Sequence, residues 1–162
     1  MGLDIAFWIL AVVGVAAALT VVLLRNVFQA ALSLVLCFLT IAGIYITLSA
    51  DFLAAVQILV YVGAISVLII LAIMMTREVQ RGSPPNRLQF PAFVVALLFL
   101  EVLVLTLINT PWQISSTPPL APTTASLATL LFGEGGFILP VEIAAVLLLS
   151  AIIGAIVLAR EK

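Results

Sequence analysis

The chain has 162 residues, 65% of them hydrophobic and 8% charged, and a mean hydropathy of +1.43. A soluble domain is about half apolar and a quarter charged, so this composition excludes one and defines an integral membrane protein. The net charge of −1, with no basic patch, offers nothing to nucleic acid.

Five apolar runs follow in chain order, at about 5–24, 27–50, 52–76, 91–108 and 138–159. Each is long enough to cross a hydrocarbon core of about 30 Å as a helix. The expected fold is therefore an all-α, five-helix membrane protein, with residues 1–162 forming a single membrane domain. The opening MGLDIAFW lacks a basic n-region, so the first run is expected to be a retained span rather than a cleaved signal peptide. Arg25 and Asn26 close it, and Asp51 marks the turn into the third run. Between the third and fourth runs lies a polar segment, REVQRGSPPNRLQ, in which Pro84 and Pro85 forbid helix. The stretch 109–137 is rich in Pro, Ser and Thr and is expected to be a long irregular loop, with a short interfacial helix over Ser126 to Phe132.

If each run crosses once, Arg25, Arg77, Arg81, Arg87, Arg160 and Lys162 all fall on one side. The positive-inside rule makes that side cytoplasmic, so the N-terminus and the Pro-rich loop face outward and the C-terminus inward. No internal repeat is visible, which disfavours an inverted-repeat transporter. Small residues are dispersed over several spans: Gly14, Ala17 and Ala18, then Ala42 and Gly43, then Ala151, Gly154 and Ala155. Helices in lipid associate through such residues, so the pattern suits a subunit with protein neighbours on several sides.

The third run, AAVQILVYVGAISVLIILAIMMT, is the most informative. Gln57 and Tyr61 stand four apart, on one helical face. Gly63 and Ala64, with Ser66 following, leave a thin waist that allows either close helix approach or a departure from regular winding, such as a π-bulge. Glu101 lies near the middle of the fourth run, where a charged side chain costs about 2.5–3.5 kcal/mol on insertion. It must face protein or water, either as a coupling carboxylate or as a neutral acid hydrogen-bonded to a neighbour. Glu142 follows Pro140, and Asp51 heads the third run; both read first as ordinary helix starts. Cys37 is the single cysteine and there is no histidine, so the chain offers no disulfide, no metal cluster and no nucleophile–base pair of the usual kind.

VQILVYVGAISVLIILAIMM (Val56 to Met75) resembles the third helix of the J-type membrane subunit of proton-pumping NADH:quinone oxidoreductase, respiratory complex I, whose mitochondrial counterpart is NADH dehydrogenase subunit 6. The tail LLFGEGGFILPVEIAAVLLLSAIIGAIVLAREK and the early RNVFQAALSL resemble the same family. The fourth run and the Pro-rich loop carry no signature of it. The resemblance implies a π-bulge around Tyr61 to Ala64 whose winding changes between states, with Tyr61, Val62 and Gly63 at its centre. Some members carry Glu where this chain has Gln57, and Glu142 matches the Pro-x-Glu of the family tail, whereas Glu101 has no assigned counterpart. It further implies a non-catalytic, hetero-oligomeric subunit in the bacterial plasma membrane, beside subunits of types A, K, H and N. FMN, iron–sulfur clusters and quinone would belong to other subunits, with no cofactor on this chain. Membrane-bound hydrogenase, ferredoxin:plastoquinone complex and multisubunit cation/proton antiporter share this ancestry and stand as alternatives, as does a purely structural membrane-arm subunit.

Overall fold

The computed structural model describes residues 2–76, 87–112 and 123–160. Among them, five helices are long and apolar enough to cross a membrane: α1 (Gly2–Leu23), α2 (Val27–Thr47), α3 (Asp51–Met75), α4 (Gln89–Asn109) and α6 (Leu139–Ala159). The short α5 (Thr123–Phe132) lies between α4 and α6 in the chain. No strand occurs among the described residues. The basic segment with Pro84 and Pro85, and the prolines Pro118, Pro119 and Pro122, lie outside them.

Local chemistry sets the element ends. Asn26 caps α2, its side-chain oxygen accepting from the backbone N–H of Phe28 at 3.0 Å and of Gln29 at 3.4 Å. α2 stops at Thr47, three residues short of the apolar run, because Ser49 turns left-handed at φ 58°. The Ala50 N–H then bonds the Tyr45 carbonyl at 2.9 Å and the Ser49 N–H that of Ile46 at 3.0 Å, a Schellman closure with Ser at the place usually taken by Gly. α4 begins at Gln89, earlier than the run's first proline suggests, since Pro91 sits within the first turn, where its missing N–H has no helical partner to lose. α5 starts at Thr123, three residues before the expected Ser126. After it, Gly135 at φ 80° carries the chain round, and the Phe137 N–H returns to the Leu130 carbonyl at 2.9 Å.

α1, α2 and α3 pack in sequence as two antiparallel hairpins, with α2 in the centre and touching α3 along its whole length. The contact residues are small. Ala17, Ala31, Ala42 and Ala54 are buried, together with Thr40, Gln57 and Ser66. A Cβ added at Gly14 would lie 2.9 Å from the Thr40 hydroxyl, and one at Gly43 would lie 2.9 Å from both Leu10 δ-carbons. These glycines let α1 and α2 approach closely, which is how helices associate when no hydrophobic effect drives them together.

α4 and α6 bury no residue against the rest of the chain. The start of α4 faces the α1–α2 turn across an open cleft of about 850 Å³, lined among others by Val22, Arg25, Ala30, Gln89 and Phe93. α5 rests against the first turns of α3.

Candidate functional site: the π-wound centre of helix α3

α3 changes winding twice. Asp51–Val56 is α-helical, Gln57–Ile65 is π-helical for nine residues, and Ser66–Met75 is α-helical again. π winding is rare and is mostly confined to single-turn bulges, so a nine-residue stretch inside a membrane helix marks a place where regular pairing has been given up. Of the two options open to the thin waist, the structure shows the departure from regular winding.

The segment is tied at both ends by buried polar side chains. At its start Gln57, 6% exposed, donates from Nε2 to the Phe38 carbonyl of α2 at 3.4 Å. At its end Ser66, 3% exposed, donates from Oγ to the Tyr61 carbonyl at 2.7 Å. The Ser66 backbone N–H is shared between the Gly63 oxygen, three residues back, and that same Tyr61 oxygen, five back. In lipid an unsatisfied polar group costs several kcal/mol, so each of these side chains must find such a partner.

Between the ties, the Tyr61 ring meets Phe38 edge-to-face, centroids 5.4 Å apart at 73°. Such a pair contributes about 0.5–1.5 kcal/mol beyond its area. Gln57 and Tyr61 therefore both converge on Phe38, one on its carbonyl and one on its ring. Val62 is half-buried. Gly63 is exposed, and a Cβ there would meet only the Ile58 carbonyl, at 3.4 Å. Its bare surface is thus not filled by the described residues.

The two acids stand elsewhere. Glu101 is exposed on α4 and makes no ion pair or hydrogen bond among the described residues. Glu142 is exposed in the first turn of α6, behind the proline that starts that helix. Asp51 likewise occupies the first turn of α3. Among the described residues, no group of three or more His, Cys, Asp or Glu side chains could hold a metal ion.

Sequence reasoning passes over Phe38 and takes Ser66 only as a small residue. Ser66 does leave a signal: a hydroxyl in an otherwise apolar run must bond back to its own helix, and the residues before it already suggest irregular winding. Phe38 leaves none, because its part depends on the register of α2 against α3.

Residues 17–158 match the family described as NADH-ubiquinone/plastoquinone oxidoreductase chain 6. The chain belongs to that family. It is 46% identical to NAD(P)H-quinone oxidoreductase chain 6 of Synechocystis sp., over 97% of this chain and 80% of that protein. It is 42% identical to the protein of the same name from Leptolyngbya boryana, over 98% of this chain and 80% of that one. With F(420)H(2) dehydrogenase subunit J of Methanosarcina mazei it shares 39% identity, over 96% of this chain and 90% of the other. The family resemblance carried by the third run and the tail is thereby confirmed over nearly the full length. The chain is a multi-pass membrane subunit of a multisubunit quinone oxidoreductase, and it works beside other subunits.

Proposed function

We propose that this subunit helps couple quinone reduction to proton translocation in the membrane arm, through a winding change in α3. The observation that carries this reading is the nine-residue π segment Gln57–Ile65, set in a helix otherwise regular at both ends. π and α windings of one segment differ by a register shift of the backbone bonds, which makes the segment a two-state element that neighbours can bias by a few kcal/mol. Tyr61, Val62 and Gly63 sit at its centre, and Gln57 marks its start. Exposed Gly63 leaves room on the outer side of the segment for an approaching neighbour.

In this reading the chain itself is non-catalytic and holds no cofactor; FMN, iron–sulfur clusters and quinone are held by other subunits. Residues 1–162 act as a single membrane domain, N-terminus outside and C-terminus cytoplasmic, in a bacterial plasma membrane. The neighbours are membrane subunits of types A, K, H and N. Glu101 finds its partner on one of them, because it has none among the described residues of its own chain. Glu142 stands at the outer start of α6 and acts through a neighbour in the same way. The electron donor is not set by this chain: relatives of about 40% identity are named after both NAD(P)H and F(420)H(2) enzymes. That range supports the same role in a related ion-translocating complex as the second reading.

Gly63→Val tests the proposal. Branched carbons beyond a Cβ already 3.4 Å from the Ile58 carbonyl crowd the π winding. The expected outcome is a complex that assembles and reduces quinone but pumps fewer protons per electron. A variant complex that assembles and pumps normally would leave the purely structural role.

A further inference from the structure

We infer that Ser66 is the register latch of the π segment, a positioning residue that decides how readily α3 changes winding. The inference rests on the proposed winding change but concerns a residue outside the Gln57–Gly63 group.

Ser66 is the first residue after the π segment and one of only three buried polar side chains among the described residues. Its Oγ lies 2.7 Å from the Tyr61 carbonyl oxygen, five residues back. In a regular helix a serine hydroxyl reaches the carbonyl three or four residues back, as in Thr40 to Cys37, Ser33 to Gln29 and Thr106 to Val102. Among the hydroxyl bonds of the described residues, only that of Ser66 spans five. The Tyr61 carbonyl has two lone pairs, and Ser66 approaches it with both its N–H and its hydroxyl. One residue thus addresses the five-residue closure twice.

Rewinding to α would hand the Ser66 N–H to Val62 and leave the Tyr61 carbonyl to Ile65. The hydroxyl would then have to bond back three or four residues, to Gly63 or Val62, an arrangement that slightly destabilises and bends regular helices. At 3% exposure water offers no third option, so the hydroxyl chooses between these carbonyls. The hydroxyl therefore favours the π register specifically. Ser66 also stands at the junction with a regular ten-residue helix, where a shift of register would have to be absorbed.

The test compares intact complexes carrying Ser66→Ala and Ser66→Cys. Alanine removes the donor, while cysteine keeps the bulk with a much weaker donor. Two readouts serve: the winding of residues 57–65 in particle classes of the purified complex, with and without a quinone analogue, and the ratio of protons pumped to quinone reduced. Loss of one hydrogen bond shifts the π:α population about 2- to 10-fold toward α. Both variants should show that shift and a changed pumping ratio at unaltered assembly. Unchanged winding in both variants overturns the latch, as does a change in Ser66→Ala that Ser66→Cys restores fully, since bulk alone would then account for it. The wild-type complex separates this from the broader reading. If its classes all keep one winding, the switch fails, and the latch survives only if Ser66→Ala rewinds the segment.

Discussion

The first three helices and the last two long ones are equally apolar but differently finished. Every residue buried in the described structure belongs to α1, α2 or α3, and none to α4 or α6. Composition does not separate them, since all five are long and apolar enough to cross a membrane. The difference lies in where small residues meet. Gly14 faces Thr40 and Gly43 faces Leu10, whereas Gly154 of α6 has nothing within 4 Å. The same stock of glycine and alanine closes a helix pair in one region and is left open in the other. The three-helix unit is packed on its own contacts, whereas α4 and α6 leave their surfaces open among the described residues.

The largest test of this division concerns Glu101. An acid at the centre of a span is unfavourable for insertion, so Glu101→Leu should make insertion of α4 more favourable by about 3 kcal/mol in a translocon assay. The same change should leave the α1–α3 unit as resistant to SDS unfolding as before, and should impair assembly or pumping of the complex, where the proposal puts the partner of the acid. A fall in the stability of α1–α3 would show that the two regions are coupled within the chain.

Next in size is a matched pair of glycine replacements. Gly14→Leu places a side chain where a Cβ alone already lies 2.9 Å from the Thr40 hydroxyl, and that hydroxyl is held by the Cys37 carbonyl at 2.7 Å. Overpacking of this kind costs about 1–3 kcal/mol. Gly154→Leu on α6 should cost the chain nothing and show its effect only in assembly. Equal losses from both, read by SDS titration of the subunit, would erase the contrast.

The helix starts give a smaller contrast. Asn26 caps α2 through its side chain, while Leu88 and Ile138, at the starts of α4 and α6, make no side-chain cap bond. Asn26→Ala should cost about 1 kcal/mol. Leu88→Ala, with no cap to lose, should have no such effect on the same measurement.

The number of spans was legible in the sequence because apolar length alone decides it. The waist of α3 was legible as a choice, since Gly63 and Ala64 permit both close packing and irregular winding, and residue types do not say which. Winding is decided by where the backbone carbonyls find donors. That depends on Gln57 reaching Phe38 across to α2 and on Ser66 reaching Tyr61, both matters of register. The small-residue pattern showed that helices would be approached closely. It could not show that Ala42 would be buried inside the chain while Ala151 stayed exposed, because the two look alike in one dimension. Glu101 announced its need for a partner, and it stands on a helix that buries no residue against the described chain.

The smallest test compares the two left-handed turns. Ser49 closes α2 at φ 58°, a conformation that costs an L-residue about 1–2 kcal/mol, while glycine bears only an entropic cost of about 0.5–1 kcal/mol. In the second region the corresponding place, after α5, is held by Gly135 at φ 80°. The packed unit can carry the strained serine because α2 and α3 meet along their whole length and fix the turn from both sides. The turn at Gly135 is flanked by α5, which touches the first turns of α3, and by α6, which buries no residue. Ser49→Gly should therefore stabilise the α1–α3 unit by about 0.5 kcal/mol without changing its fold. Gly135→Ser should cost about 1 kcal/mol and appear as faster amide exchange at Phe137, whose N–H bond to Leu130 closes that turn. If instead Ser49→Gly loosened the first unit, the serine would be holding the turn through its side chain rather than being held by the helices around it.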